Sequence, residues 1–65
     1  MNTKDRIKQA ANAGVKIKTI ADKAEVSYFR IKSVVNPDKY RGETNFDRFE
    51  EARINEALDE IKSTF

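Results

Sequence analysis

The stretch from Ile17 to Asn36, IKTIADKAEVSYFRIKSVVN, constrains this chain more than any other part of it. Ile17, Ile20, Ala21 and Ala24 fall at i, i+3, i+4 and i+7, which places them on one face of a helix, and Ile31, Val34 and Val35 repeat the pattern farther on. Between the two runs stand Glu25, Val26 and Ser27. These make a turn, with Val26 as the apolar plug where the two axes cross and Ser27 as an N-cap whose hydroxyl can take a free backbone N–H of the following turn. Ala21 and Ala24 are small where the second helix must approach closely.

The segments on either side are helical too. Asn2 or Thr3 can cap a first helix running to about Ala13, with Ile7, Ala10 and Ala11 as its buried stripe, and Gly14 ends it. The helix after the turn runs from about Tyr28 to Val35, where Asn36-Pro37 stops it, because a residue before proline is pushed out of the helical region. Residues 37 to 44, PDKYRGET, read as a polar loop. Thr44 or Asn45 then caps a long helix over about 45–62, with Phe46, Phe49, Ile54, Ala57, Leu58 and Ile61 on a broad inward face. Glu50, Glu51, Glu56, Asp59 and Glu60 cover most of the rest, with Glu50 and Arg53, or Asp59 and Lys62, as i, i+3 neighbours. The expectation is an all-α fold, a small helix-turn-helix bundle of four to five helices, forming one domain over residues 1–65 with its motif at 17–36.

Length and composition narrow the function. A chain of 65 residues makes a marginal core unless packing is good or a second subunit helps. With no Cys there is neither a disulfide framework nor a thiolate metal site, and with no His the commonest metal ligand and the usual general base at neutral pH are missing. No group of residues supplies a nucleophile with a base and its orienting partner, so the expectation is not an enzyme, with no cofactor, metal or small-molecule ligand. The carboxylates of the last helix read as a solvated face rather than an acid/base or metal cluster. No apolar run could span a bilayer, and MNTKDRIKQ is polar without a signal core, so a cytoplasmic protein without a membrane partner is expected.

The net charge of +2 conceals a division. Residues 1 to 42 hold ten Lys and Arg against four Asp and Glu, giving +6, whereas residues 43 to 65 hold three against seven, giving −4. A basic half that contains the motif suits a phosphate backbone, and an acidic half is better placed away from it.

The run IADKAEVSYFRIKSVVN resembles the headpiece of LacI-type repressors, whose usual form is close to VAxxAGVSxxTVSRVVN, and the match includes Val26-Ser27-Tyr28 and Val34-Val35-Asn36. A helical segment precedes the motif, as in the phage Cro and CI repressors, whose small members also lack a sensor domain. The chain therefore resembles phage-type helix-turn-helix regulators with a LacI-like recognition element. The resemblance departs at Glu25, where these families usually carry Gly because the backbone commonly has positive φ, at a cost of roughly 1 kcal/mol to a residue with a Cβ.

What the resemblance implies is a recognition helix over 28–35 that enters the major groove of a double-stranded DNA operator. Tyr28, Phe29 and Ser33 lie where related repressors touch base edges, and Ser27 and Asn36 match positions that hold phosphates. Lys32 is added to the base-contact set, and Arg30 fits a phosphate better than a guanine. Phe29 cannot hydrogen-bond, so it would read thymine methyl groups or pack on sugars. Tyr28 and Phe29 could instead serve the core, although Val26, Ile31 and Val34 already take the inward positions. Lys16, Lys18 and Thr19 open the second helix, where free N–H groups and the dipole favour phosphate. Lys39 and Arg41 lie in the following loop and could reach the flanking backbone. Lys4, Lys8 and Lys23 are as well explained by solvated surface.

Three functions follow as expectations. The leading one is a sequence-specific transcriptional regulator, most simply a Cro-like repressor that occludes a promoter. The others are an architectural or recombination-directionality DNA binder, and a protein-binding antirepressor or antitoxin module. A phage or bacterial nucleoid setting fits this size. A homodimer through the last helix and its terminal Phe65 would place two copies on half-sites one DNA turn apart, unless that helix's apolar arc is consumed by its own core.

Overall fold

A computed structural model of the chain describes residues 2–39 and 45–63. They form four helices, α1 (Thr3–Asn12), α2 (Ile17–Ala24), α3 (Tyr28–Val35) and α4 (Arg48–Ser63), and no strand occurs among the described residues. The all-α bundle expected from the apolar spacing is therefore the observed architecture. None of these helices is long and apolar enough to cross a membrane.

Each helix contributes one isoleucine to the centre. Ile7, Ile20, Ile31 and Ile54 come from α1, α2, α3 and α4 in turn, and all four are fully buried. Removing such a side chain from water is worth about 1.5–3 kcal/mol, so this quartet is the main apolar tie between the elements. Ala21, Ala24, Val26, Val34, Ala57, Leu58 and Ile61 close around it, with Ala10, Val15, Ile17, Val35 and Phe46 packed at its edge. α2 lies against both α3 and α4, and α1 packs on α3 and α4. Ala21 and Ala24 sit where α2 meets its neighbours, and both are buried, as their small size requires.

The helix ends follow local chemistry. Asn2 caps α1 by accepting the Asp5 N–H on Oδ1 at 2.8 Å. Its far end closes with Gly14 N–H to Ala11 O at 3.1 Å and Val15 N–H to Ala10 O at 3.0 Å, the paired bonds of a Schellman ending. Gly14 has φ +99°, a conformation open to a residue without a Cβ. α2 ends in the same way without a glycine. Glu25 takes φ 56° and ψ 41°, while Val26 N–H reaches Ala21 O at 3.1 Å.

The start of α4 differs from the expectation. It begins at Arg48, because Asp47 and Glu50 form a reciprocal capping box: Glu50 N–H donates to Asp47 Oδ1 at 2.8 Å, and Asp47 N–H donates to Glu50 Oε1 at 3.1 Å. Asn45 precedes that cap, and Thr44 lies outside the described residues. Phe49, expected on the inward face, is 74% exposed, whereas Phe46 packs against the core.

Candidate functional site

Polar ties between helices fix the pose of α3 and absorb much of the acid on α4. Arg30 forms an ion pair with Glu50 through both terminal guanidinium nitrogens and also donates to the Asn45 carbonyl at 2.8 Å. The same guanidinium lies 5.0 Å from the centre of the Phe46 ring. Hydrogen bonding to Glu50 holds the Arg30 pKa above its usual value; Glu50 is held below the ordinary glutamate range chiefly by Arg30, then by the Asp47 N–H. Elsewhere, Arg6 donates to Asn55 at 2.7 Å and pairs with Asp59 at 2.6 Å, and Lys23 approaches Glu60 at 3.7 Å. Arg53 Nε donates to Ala24 O at 3.0 Å, capping the carbonyl end of α2. The i, i+3 pairing expected within α4 is thus replaced by bonds between helices: Glu50 binds Arg30, Asp59 binds Arg6, and Arg53 caps α2.

These ties change the meaning of the charge division. Three of the basic residues in the first part of the chain, Arg6, Lys23 and Arg30, are neutralised by α4. Lys16 and Lys18 are exposed and make no ion pair among the described residues. Both line a shallow depression with Tyr28 and Val35, over a floor that includes Gly14, Val15 and Ile17. The turn between α1 and α2 therefore presents cations beside the leading end of α3. Lys16 occupies the N-cap of α2 and offers no side-chain cap, and Thr19 in that first turn is exposed.

Along α3, the aromatic pair faces outward. Tyr28 is 37% exposed and Phe29 is 66% exposed, with ring centres 5.6 Å apart and planes at 81°. Lys32 is half-buried and holds its ammonium 5.4 Å from the centre of the Tyr28 ring. Ser33, placed by resemblance among base contacts, is half-buried and donates from Oγ to Arg30 O at 2.8 Å. Arg30, expected at a phosphate, is engaged by Glu50 and the Asn45 carbonyl. Ser27 stands at the N-cap of α3 as expected, but its exposed hydroxyl makes no capping hydrogen bond. Asn36 and Lys39 are exposed beyond the end of α3, joined by Lys39 N–H to Asn36 O at 3.2 Å. Arg41 lies outside the described residues.

The residue that sequence reasoning missed is Glu50. It caps α4 and grips Arg30 at once, so it ties the start of α4 to the first turn of α3. The spacing Asp47-Arg48-Phe49-Glu50, an acid followed three positions later by Glu, carried that signal. Comparison with protein families, curated proteins and solved structures finds no significant match to this chain.

Proposed function

We propose that this chain is a sequence-specific binder of double-stranded DNA that lays α3 in the major groove, and that it acts as a small Cro-like transcriptional regulator by occluding a promoter. The observation that carries the reading is the outward aromatic edge of α3, beside Lys16 and Lys18 and across a tight turn from α2. In a helix-turn-helix the residues at the start of the second helix approach base edges while the first helix crosses the backbone. Lys16 and Lys18, at the start of α2, suit that crossing. The burial of Ile31 and Val34 and the Arg30–Glu50 clamp support the reading in another way, since a reading helix needs a fixed orientation.

A homodimer on two half-sites is part of this proposal. Leu58 and Ile61 are buried in the core and Phe46 packs at its edge, so a contact through α4 would centre on exposed Phe49. Phe65, offered from the sequence for the same surface, lies outside the described residues.

Selection of bound duplexes from a random pool, followed by a salt series on the selected and a random duplex, tests the function. The expected result is one recurrent half-site, a falling log K with log salt, and a specific affinity at least about a thousandfold above the random duplex. Strong bending with little sequence preference would make the chain an architectural binder. Absence of DNA affinity at moderate salt would point to a protein-binding module and overturn the proposal.

A further inference from the structure

We infer that Phe29 is a specificity-determining residue that reads the C5-methyl group of thymine, so that the site bound by this chain carries thymine opposite the leading end of α3. The inference rests on the DNA-binding reading above and names the chemistry of what that surface prefers.

The side chain is an apolar projection. Phe29 is the second residue of α3 and 66% exposed, and its ring meets Tyr28 edge to face at 5.6 Å. Tyr28 is itself covered by the Lys32 ammonium at 5.4 Å. A ring braced in this manner meets a surface with less ordering of rotamers than a solitary exposed one would need.

Two polar side chains of α3 nearby are engaged within the protein. Arg30 binds Glu50 and the Asn45 carbonyl, and Ser33 donates back to Arg30 O. At Phe29, α3 therefore offers carbon where a helix of this kind could offer an amide or a guanidinium. In the major groove N7, O6, O4 and the exocyclic amines are all polar, and the thymine methyl is the one apolar group that projects from a base edge. Against a polar edge Phe29 would strip water and return no hydrogen bond; against a methyl it buries carbon on carbon. Exposed Lys16 and Lys18 beside Tyr28 favour a polyanion over an apolar protein patch as the occupant, because an apolar patch would leave both ammonium groups without counter-charge.

The test replaces each thymine of a duplex selected from the random pool with deoxyuridine, one at a time, which removes only the methyl group. The parent protein should lose about fourfold in affinity at one or two positions in each half-site, the value expected for one buried carbon. Phe29→Ala should bind thymine and uracil versions equally at those positions, and Phe29→Leu should keep part of the discrimination. Both variants should remain folded and unfold within several degrees of the parent, because the side chain is largely exposed and its ring contact is with Tyr28 alone among the described residues. Equal binding of thymine and uracil at every position, or discrimination that survives in Phe29→Ala, overturns the inference while leaving DNA binding intact. Failure of every duplex to bind overturns the DNA-binding reading and the inference with it.

Discussion

Replacing Glu25 by glycine should stabilise the protein. Glu25 closes α2 at φ 56° and ψ 41°, with its N–H directed to Asp22 O at 3.4 Å and the next N–H to Ala21 O at 3.1 Å. A residue with a Cβ pays about 1–2 kcal/mol to hold the left-handed region. Glycine escapes that cost but raises the entropy of the unfolded chain by about 0.4–1 kcal/mol, leaving a net gain of roughly 0.5–1 kcal/mol. For a domain of this size that corresponds to a rise of about 2–8 °C in melting temperature. The Glu25 side chain is exposed and enters no ion pair among the described residues, so little is lost with it. Thermal unfolding by circular dichroism reads the change, and Glu25→Val, β-branched at the same backbone angles, should move it the other way. A lower melting temperature for the glycine variant, or equal shifts for both, would refute the assignment of a strained left-handed residue to this turn.

Three further outcomes follow from the packing and the clamp. Ile54→Ala should destabilise by about 2–5 kcal/mol, enough to leave a chain of 65 residues largely unfolded at 37 °C in a urea or thermal titration. Glu50 has a folded-state pKa below its unfolded value, so its contribution is present above the unfolded value and lost as pH falls through the folded one. Glu50→Gln should therefore lower stability at neutral pH and flatten the loss as pH falls through and below the ordinary glutamate range, as followed by melting temperature against pH. Under the proposed DNA-binding function, Lys18→Ala should weaken selected and random duplexes alike and reduce the salt slope by about one, whereas Tyr28→Ala should relax preference at particular base positions. Identical behaviour of those two variants would place the recognition helix elsewhere.

The α2–turn–α3 segment was legible because each of its signals is local. Apolar spacing set α2 and α3, Pro37 stopped α3 after Val35, and the mismatch at Glu25 pointed to the left-handed backbone that is found there. The start of α4 was misplaced because Thr44 and Asn45 also have capping side chains, and the choice of Asp47 depends on the return bond from Glu50. Phe49 was assigned inward from its hydrophobicity. Angular position argues otherwise: five residues before Ile54 at 3.6 residues per turn puts it about 140° away from the buried centre line. Arg30 and Ser33 could not be resolved from sequence at all. Their partners are a carboxylate on another helix and a carbonyl one turn back, and choosing either over a ligand requires the packing of α3 against the rest.

The claim on which the rest depends is that the outer side of α3, with the start of α2, is the surface that meets DNA. Backbone amide shifts in a titration of the labelled protein with its selected duplex test it most directly. The account predicts the largest changes at Lys16, Lys18, Tyr28, Phe29 and Lys32, with the amides of Arg6, Gln9 and Lys62 between α1 and α4 unmoved. Changes concentrated instead at those three residues, with α3 and the start of α2 unmoved, would contradict it.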